Sequence, residues 1–162
     1  MSFPAASQAV VVQPGEGRSL DVLGELITVL ATGRETNGAF TLITEVSPPG
    51  GGTPLHTHAN EDEAFFVLSG AYEVKCGDQT VQAPAGAFVF APRGVPHQLT
   101  NTGDGPAVIL GLVSPPGFER FWVELSELPQ PSDMREVRRI ADERQLTLHL
   151  PTPEPGLEET RP

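Results

Sequence analysis

Short apolar runs broken by Gly, Pro, Asn and Asp follow one another along the chain up to residue 113. Residues 25–31 (ELITVLA) and 39–46 (AFTLITEV) read as strands on either side of TGRETNG, where Asn37 and Gly38 supply a turn that accepts positive φ. Residues 55–58 start another strand, which resumes at 63–68 after the polar break ANED. Ser69 and Gly70 turn the chain into 71–76, and Gly77 and Asp78 turn it into 80–83. Residues 87–90, 97–101 and 107–113 complete the series. Val10, Val11 and Val12 predict a short edge strand closed by Pro14 and Gly15. Many short strands punctuated by turn residues are the signature of an all-β sandwich or barrel.

The period then changes. After Ser114, Pro115, Pro116 and Gly117, the residues Phe118, Phe121, Trp122, Leu125 and Leu128 recur at helical spacing, and Pro129 and Pro131 end the pattern. Ser132 predicts the N-cap of a second helix that carries Met134, Val137, Ile140 and Ala141 on one face. Residues 146–150 alternate like a short strand, and PTPEPGLEETRP beyond them has too little apolar surface to order itself. The chain therefore divides into an N-terminal arm (1–19), an all-β domain (20–116), a short helical C-terminal extension (117–150) and a tail expected to be flexible (151–162).

Composition narrows the classes. The 162 residues suit one domain with a real core. A net charge of −11 without a basic stripe argues against nucleic acid and against anionic membrane surfaces. No apolar run approaches the roughly 18 residues a membrane helix needs. The first residues lack a basic, signal-like start, so a cytoplasmic location is expected. Cys76 is the single cysteine, which excludes an internal disulfide framework; sharing a face with Tyr72 and Val74, it reads as a small buried hydrophobe.

The candidate chemistry lies in four residues: His56, His58, Glu63 and His97. Alternation in a strand points His56 and His58 to one side and Thr57 to the other. Glu63 opens an apolar run and shares parity with Phe65 and Val67. Glu61 has that parity but sits in the break, and Asp62 has the opposite one, so Glu63 is the favoured ligand. Three imidazoles and a carboxylate suit one divalent transition metal, whether Mn, Fe, Co, Ni or Zn, with a position left for water, oxygen or substrate. No thiolate is offered, which argues against a closed structural zinc site. His149 lies outside this set and reads as structural or surface. Arg93, in a turn between Pro92 and Gly94, reads as exposed and without a role.

Gly50, His56, His58, Glu63 and Gly70 fall at the spacing of the first cupin motif, and Gly86, Pro92, Gly94, His97 and Asn101 at that of the second. On these residues the chain resembles the cupin superfamily. The resemblance implies a conserved β-barrel, or jelly roll, with metal carried by His56, His58, Glu63 and His97. The segments GELITVLATGRETNGAFTLITEVSPPGG, PLHTHANEDEAFFVL and SPPGFERFWVEL look like the bacterial single-cupin quercetinases, which open flavonols with O₂ and release carbon monoxide. That likeness implies a dioxygenase acting on a flavonol, catechol or enol-type small molecule, with Glu63 as proton acceptor.

Phe65, Phe40 and one of Phe88 or Phe90 are candidates for the wall of its pocket. Phe118, Phe121 and Trp122 either pack a helix over the barrel or line its entrance. Two other readings remain open: an O₂-independent isomerase, lyase or decarboxylase, and a non-catalytic small-ligand binder. Apolar residues on both faces of 64–68 lead us to expect a homodimer.

Overall fold

Strands dominate the computed structural model, which describes residues 9–149. In chain order they are β1 (Arg18–Val22), β2 (Glu25–Ala31), β3 (Thr41–Ser47), β4 (His56–His58), β5 (Asp62–Ser69), β6 (Ala71–Cys76), β7 (Gln79–Pro84), β8 (Phe88–Ala91), β9 (His97–Asn101) and β10 (Ala107–Ser114). Two helices, α1 (Glu119–Ser126) and α2 (Met134–Glu143), and a last strand β11 (Leu146–Leu148) follow. They build two antiparallel sheets, ordered β1-β2-β3-β10-β5-β8 and β11-β4-β9-β6-β7. The alternating pattern predicts an all-β sandwich or barrel with a short helical extension, and the jelly roll is the form that the resemblance implies.

Alternation decides what each strand buries. Thr41, Ile43, Glu45 and Ser47 of β3 point inward, and Ala107, Ile109, Gly111 and Val113 of β10 do the same beside them. One apolar cluster fills the space between the sheets around Phe65, Val67, Tyr72, Val74, Leu99 and Ile109. A second forms where the helices cover the barrel, joining Leu20, Val22 and Ile27 to Phe121, Trp122, Leu125, Val137 and Ile140. Each such side chain, fully buried, contributes about 1.5–3 kcal/mol. Arg144 pairs with Glu124 and ties the end of α2 to α1.

Several elements differ from the sequence reading. Val10, Val11 and Val12 form no strand; they are exposed, and the edge of the larger sheet is β1, whose Arg18–Val22 pairs with β2. The polar residues of RSLDV hide that strand from an apolar-run search. Asp133 rather than Ser132 caps α2, its carboxylate accepting from the Arg135 amide at 2.9 Å. Cys76 is half-buried rather than buried. Leu150 and the tail 151–162 lie outside the described residues, as do residues 1–8 of the arm.

The loop before β4 is held hard against β9. Gly52 has φ +134°, and a Cβ there would lie 2.1 Å from the Leu99 carbonyl oxygen, so only glycine permits the approach. Asn101 fastens the same region: its amide donates to the Ser47 and Gly105 carbonyls at 3.0 and 2.9 Å.

Candidate metal centre

The site forms where the two sheets face each other. His56 and His97 are register partners in the antiparallel β4–β9 pair, so both rings leave the same face of the smaller sheet. His58 follows on that face, one residue pair along β4. Glu63 comes from the opposite sheet, on β5. All four are buried, and one ligand atom from each lies within 4.8 Å of the others.

A single oxygen stands at the centre. Glu63 Oε2 is 2.7 Å from His97 Nε2, 3.4 Å from His58 Nε2 and 3.5 Å from His56 Nε2. The outer nitrogens are already committed. His56 Nδ1 donates to the Pro54 carbonyl at 2.7 Å and His97 Nδ1 to the Val95 carbonyl at 3.0 Å. His58 Nδ1 faces Glu61 Oε2 at 3.2 Å. A carbonyl can only accept, so His56 and His97 each carry a proton on Nδ1 and turn Nε2 toward Glu63.

Three ring nitrogens and a carboxylate oxygen share one buried space, and the carboxylate needs positive charge beside it. Burial pushes the His56 imidazole down. Burial also acts against a charged His58, but Glu61 and Glu63 outweigh it and raise that imidazole to about 9. Burial alone would raise the Glu63 carboxyl, yet the three imidazoles hold it well below the usual range. His58 Nε2 nonetheless is buried without a hydrogen-bond partner. A divalent cation would use all four lone pairs at once, so the residues present fit one.

The centre opens into a cavity of about 310 Å³, at the small end of ligand pockets, which run to about 1,000 Å³. Phe65, Ile43, Val113, Phe118 and Trp122 make much of its wall. The Phe118 ring stands edge-on to His58 with centroids 4.5 Å apart.

A family model for the cupin domain matches residues 43–113, the stretch that carries all four side chains. Residues 43–113 are a cupin domain. It is 28% identical over 96 residues to quercetin 2,3-dioxygenase of Bacillus subtilis, a match covering 59% of this chain and 28% of that enzyme. It is 44% identical over 69 residues to germin-like protein 1-1 of rice, covering 38% of this chain and 31% of that protein. The cupin thus spans under a third of the length of these two relatives. A Thermotoga maritima structure described as a predicted oxalate decarboxylase superposes with a TM-score of 0.58 at 24% identity, covering 64% of this chain and 97% of that one. That likeness is one of fold.

The cupin brings His56, His58, Glu63 and His97 together and leaves His149 outside, exposed, with Nε2 2.8 Å from Thr57 Oγ1. Of the expected wall residues only Phe65 lines the cavity. Phe88 and Phe90 are 66% and 54% exposed, because the β5–β8 register aligns them with Phe66 and Ala64 on the outer face. Phe40 precedes β3 and is not part of the wall. Phe118, Phe121 and Trp122 do both things the sequence left open: they bury the helix and line the cavity.

Arg93 has a role after all. Its guanidinium grips Asp62 through Nε and Nη2 at 3.1 and 2.8 Å, and its amide donates to the same carboxylate at 2.9 Å. The turn that leads to His97 is thereby fixed beside the strand that carries Glu63.

Three functional candidates escaped the sequence reading. Glu61 orients His58. Glu25 and Glu45 are buried carboxylates in the cavity wall. The parity shared by Ile43 and Glu45 was the available signal for the last. Among the described residues, no helix is long and apolar enough to cross a membrane.

Proposed function

We propose that this cupin is a metal-dependent, quercetinase-like dioxygenase acting with O₂ on a flavonol, catechol or enol-type small molecule. The observation that carries the reading is a buried His₃Glu cluster opening directly into an apolar cavity with aromatic walls. The similarity to quercetin 2,3-dioxygenase supports the choice of reaction. A divalent ion held by His56, His58, Glu63 and His97, whether Mn, Fe, Co, Ni or Zn, would supply a Lewis-acid position beside the cavity.

The chain's own residues do the rest. The carbonyls of Pro54 and Val95 and the Glu61 carboxylate fix the three rings before a substrate arrives. In this reading Glu63, which is buried and lines the cavity, takes the proton of an acidic substrate hydroxyl. Phe65 and Phe118 exclude water and offer flat faces to a planar ring.

The test is oxygen uptake by protein loaded with each of the five metals, against a panel of flavonols and catechols. Uptake with matching substrate loss, absent in His97→Ala, is the expected result. A second reading has its own observation. Burial, together with the charges of Glu25 and Glu63, pushes the Glu45 carboxyl up to about 8, so a proton donor stands in the cavity wall at neutral pH. Turnover under argon would favour an O₂-independent isomerase or lyase using that proton, and ligand-induced stabilisation without product would favour a binding protein.

A further inference from the structure

Two carboxylates in the cavity wall belong to no part of the ion site. Glu25, at the start of β2, is 9% exposed, and Glu45, in the middle of β3, is 3% exposed. Glu45 sits between Ile27 and Ile109 in the sheet register and faces the barrel interior. Thr41 is the β3 residue level with Glu63 through Val113, and Glu45 lies farther along the same strand. The two carboxylates therefore mark a different part of the cavity from the histidines.

Their hydrogen bonding is incomplete. Glu25 Oε1 accepts from the Gly52 amide at 2.8 Å, but Oε2 is enclosed and has no partner. Glu45 Oε1 accepts from Ser47 Oγ at 3.4 Å, longer than the roughly 2.5–3.0 Å of a good O–H···O bond. A buried carboxylate oxygen left unpaired is costly, and proteins rarely keep one without a reason. An apolar wall with one such pole is how a pocket orients a ligand.

We propose that Glu25 and Glu45 form a hydroxyl-binding pole, which receives the alcohol or phenol group of a ligand whose other end lies toward the ion site. The inference rests on the cavity and the two carboxylates and is independent of the oxygen reaction. With Glu45 holding its proton at neutral pH, the pair presents one O–H donor and several acceptors. A hydroxyl, which donates and accepts, matches both. An ammonium group has three donors and no acceptor, and meets a proton already in place.

The experiment uses full-length, metal-loaded protein and three probes of similar size: benzyl alcohol, ethylbenzene and benzylamine. In Glu25→Gln the amide carbonyl can keep the Gly52 bond while Oε2 is replaced by a group that cannot accept. We expect benzyl alcohol to bind about tenfold more weakly to that variant than to the wild type, with ethylbenzene affinity and metal content unchanged. Glu45→Met, which removes both the donor and the acceptor at that position, provides the second measurement, and decides the matter by the same comparison if Glu25→Gln does not fold. Equal changes for benzyl alcohol and ethylbenzene, or no change for either, overturn the proposal and leave the carboxylates a structural role. A benzylamine affinity that exceeds that of benzyl alcohol and falls in the variants overturns the hydroxyl assignment in favour of a cation.

Discussion

Glu61 holds His58 from behind: its Oε2 lies 3.2 Å from Nδ1, while Nε2 of the same ring faces Glu63. One imidazole thus has an acid from the same short segment facing each nitrogen, with the hydrogen bond on the Glu61 side. Partners of this kind set ring orientation and basicity, and losing one typically costs about 10–100-fold in metal affinity. Glu61→Ala should weaken metal binding by that factor with the fold intact, measured by chelator competition and circular dichroism. An unchanged affinity would show that His58 is oriented by packing alone.

Removing a ligand has a larger effect. His97→Ala and Glu63→Gln should each emerge from purification with far less metal than wild type, by elemental analysis of protein prepared without chelator or nickel resin. An ion that binds only the folded state stabilises it by mass action. Chelator should therefore lower the Tm of wild type and leave that of His97→Ala nearly unmoved. Equal chelator effects would place the ion elsewhere.

Glu45 gives the stability curve a definite slope. Its carboxyl is raised from an ordinary 4.5 to about 8 by burial first, then by Glu25 and Glu63. The folded state holds the proton more tightly than the unfolded chain does. Its contribution is therefore fully present below pH 4.5 and is lost as the pH rises to about 8, where the curve levels. The loss is on the order of a few kcal/mol. With chelator present throughout, the stability of wild type relative to Glu45→Gln should fall across that interval in urea titrations. A flat difference would mean that water reaches the carboxyl.

The outer face of the β5–β8 edge carries Phe66, Leu68, Phe88 and Phe90, all exposed, with Phe66 and Phe88 directly paired across the strands. Contiguous exposed aromatic surface marks an association face. We propose that a second copy covers it. Light scattering should report twice the 17.2 kDa chain mass, and Phe88→Glu should return the protein to one chain. A wild-type mass of one chain would remove the proposal.

How legible the molecule was depends on which signal each residue carried. His56, His58, Glu63 and His97 could be read because strand parity and fixed spacing act on local sequence. Phe88 and Phe90 could not be placed, because they alternate with Val89 and Ala91 and either face could have been the inner one. The structure turns the smaller pair inward, with Ala91 buried and Val89 half-buried. Glu45 was hidden by its neighbours: Leu42, Thr44 and Val46 gave β3 an outer face nearly as apolar as its inner one. Glu25 announced nothing, since a carboxylate at the start of a strand ordinarily faces water. Its burial depends on the loop at Gly52, far along the chain.

Three ligands come from one sheet and the fourth from its opposite number. An ion seated among them would act as a rivet through the barrel, and the rivet hole exists only after the two layers have closed on each other. Neither sheet alone supplies the full set of donors, so a place where all four meet would exist only once the barrel has closed.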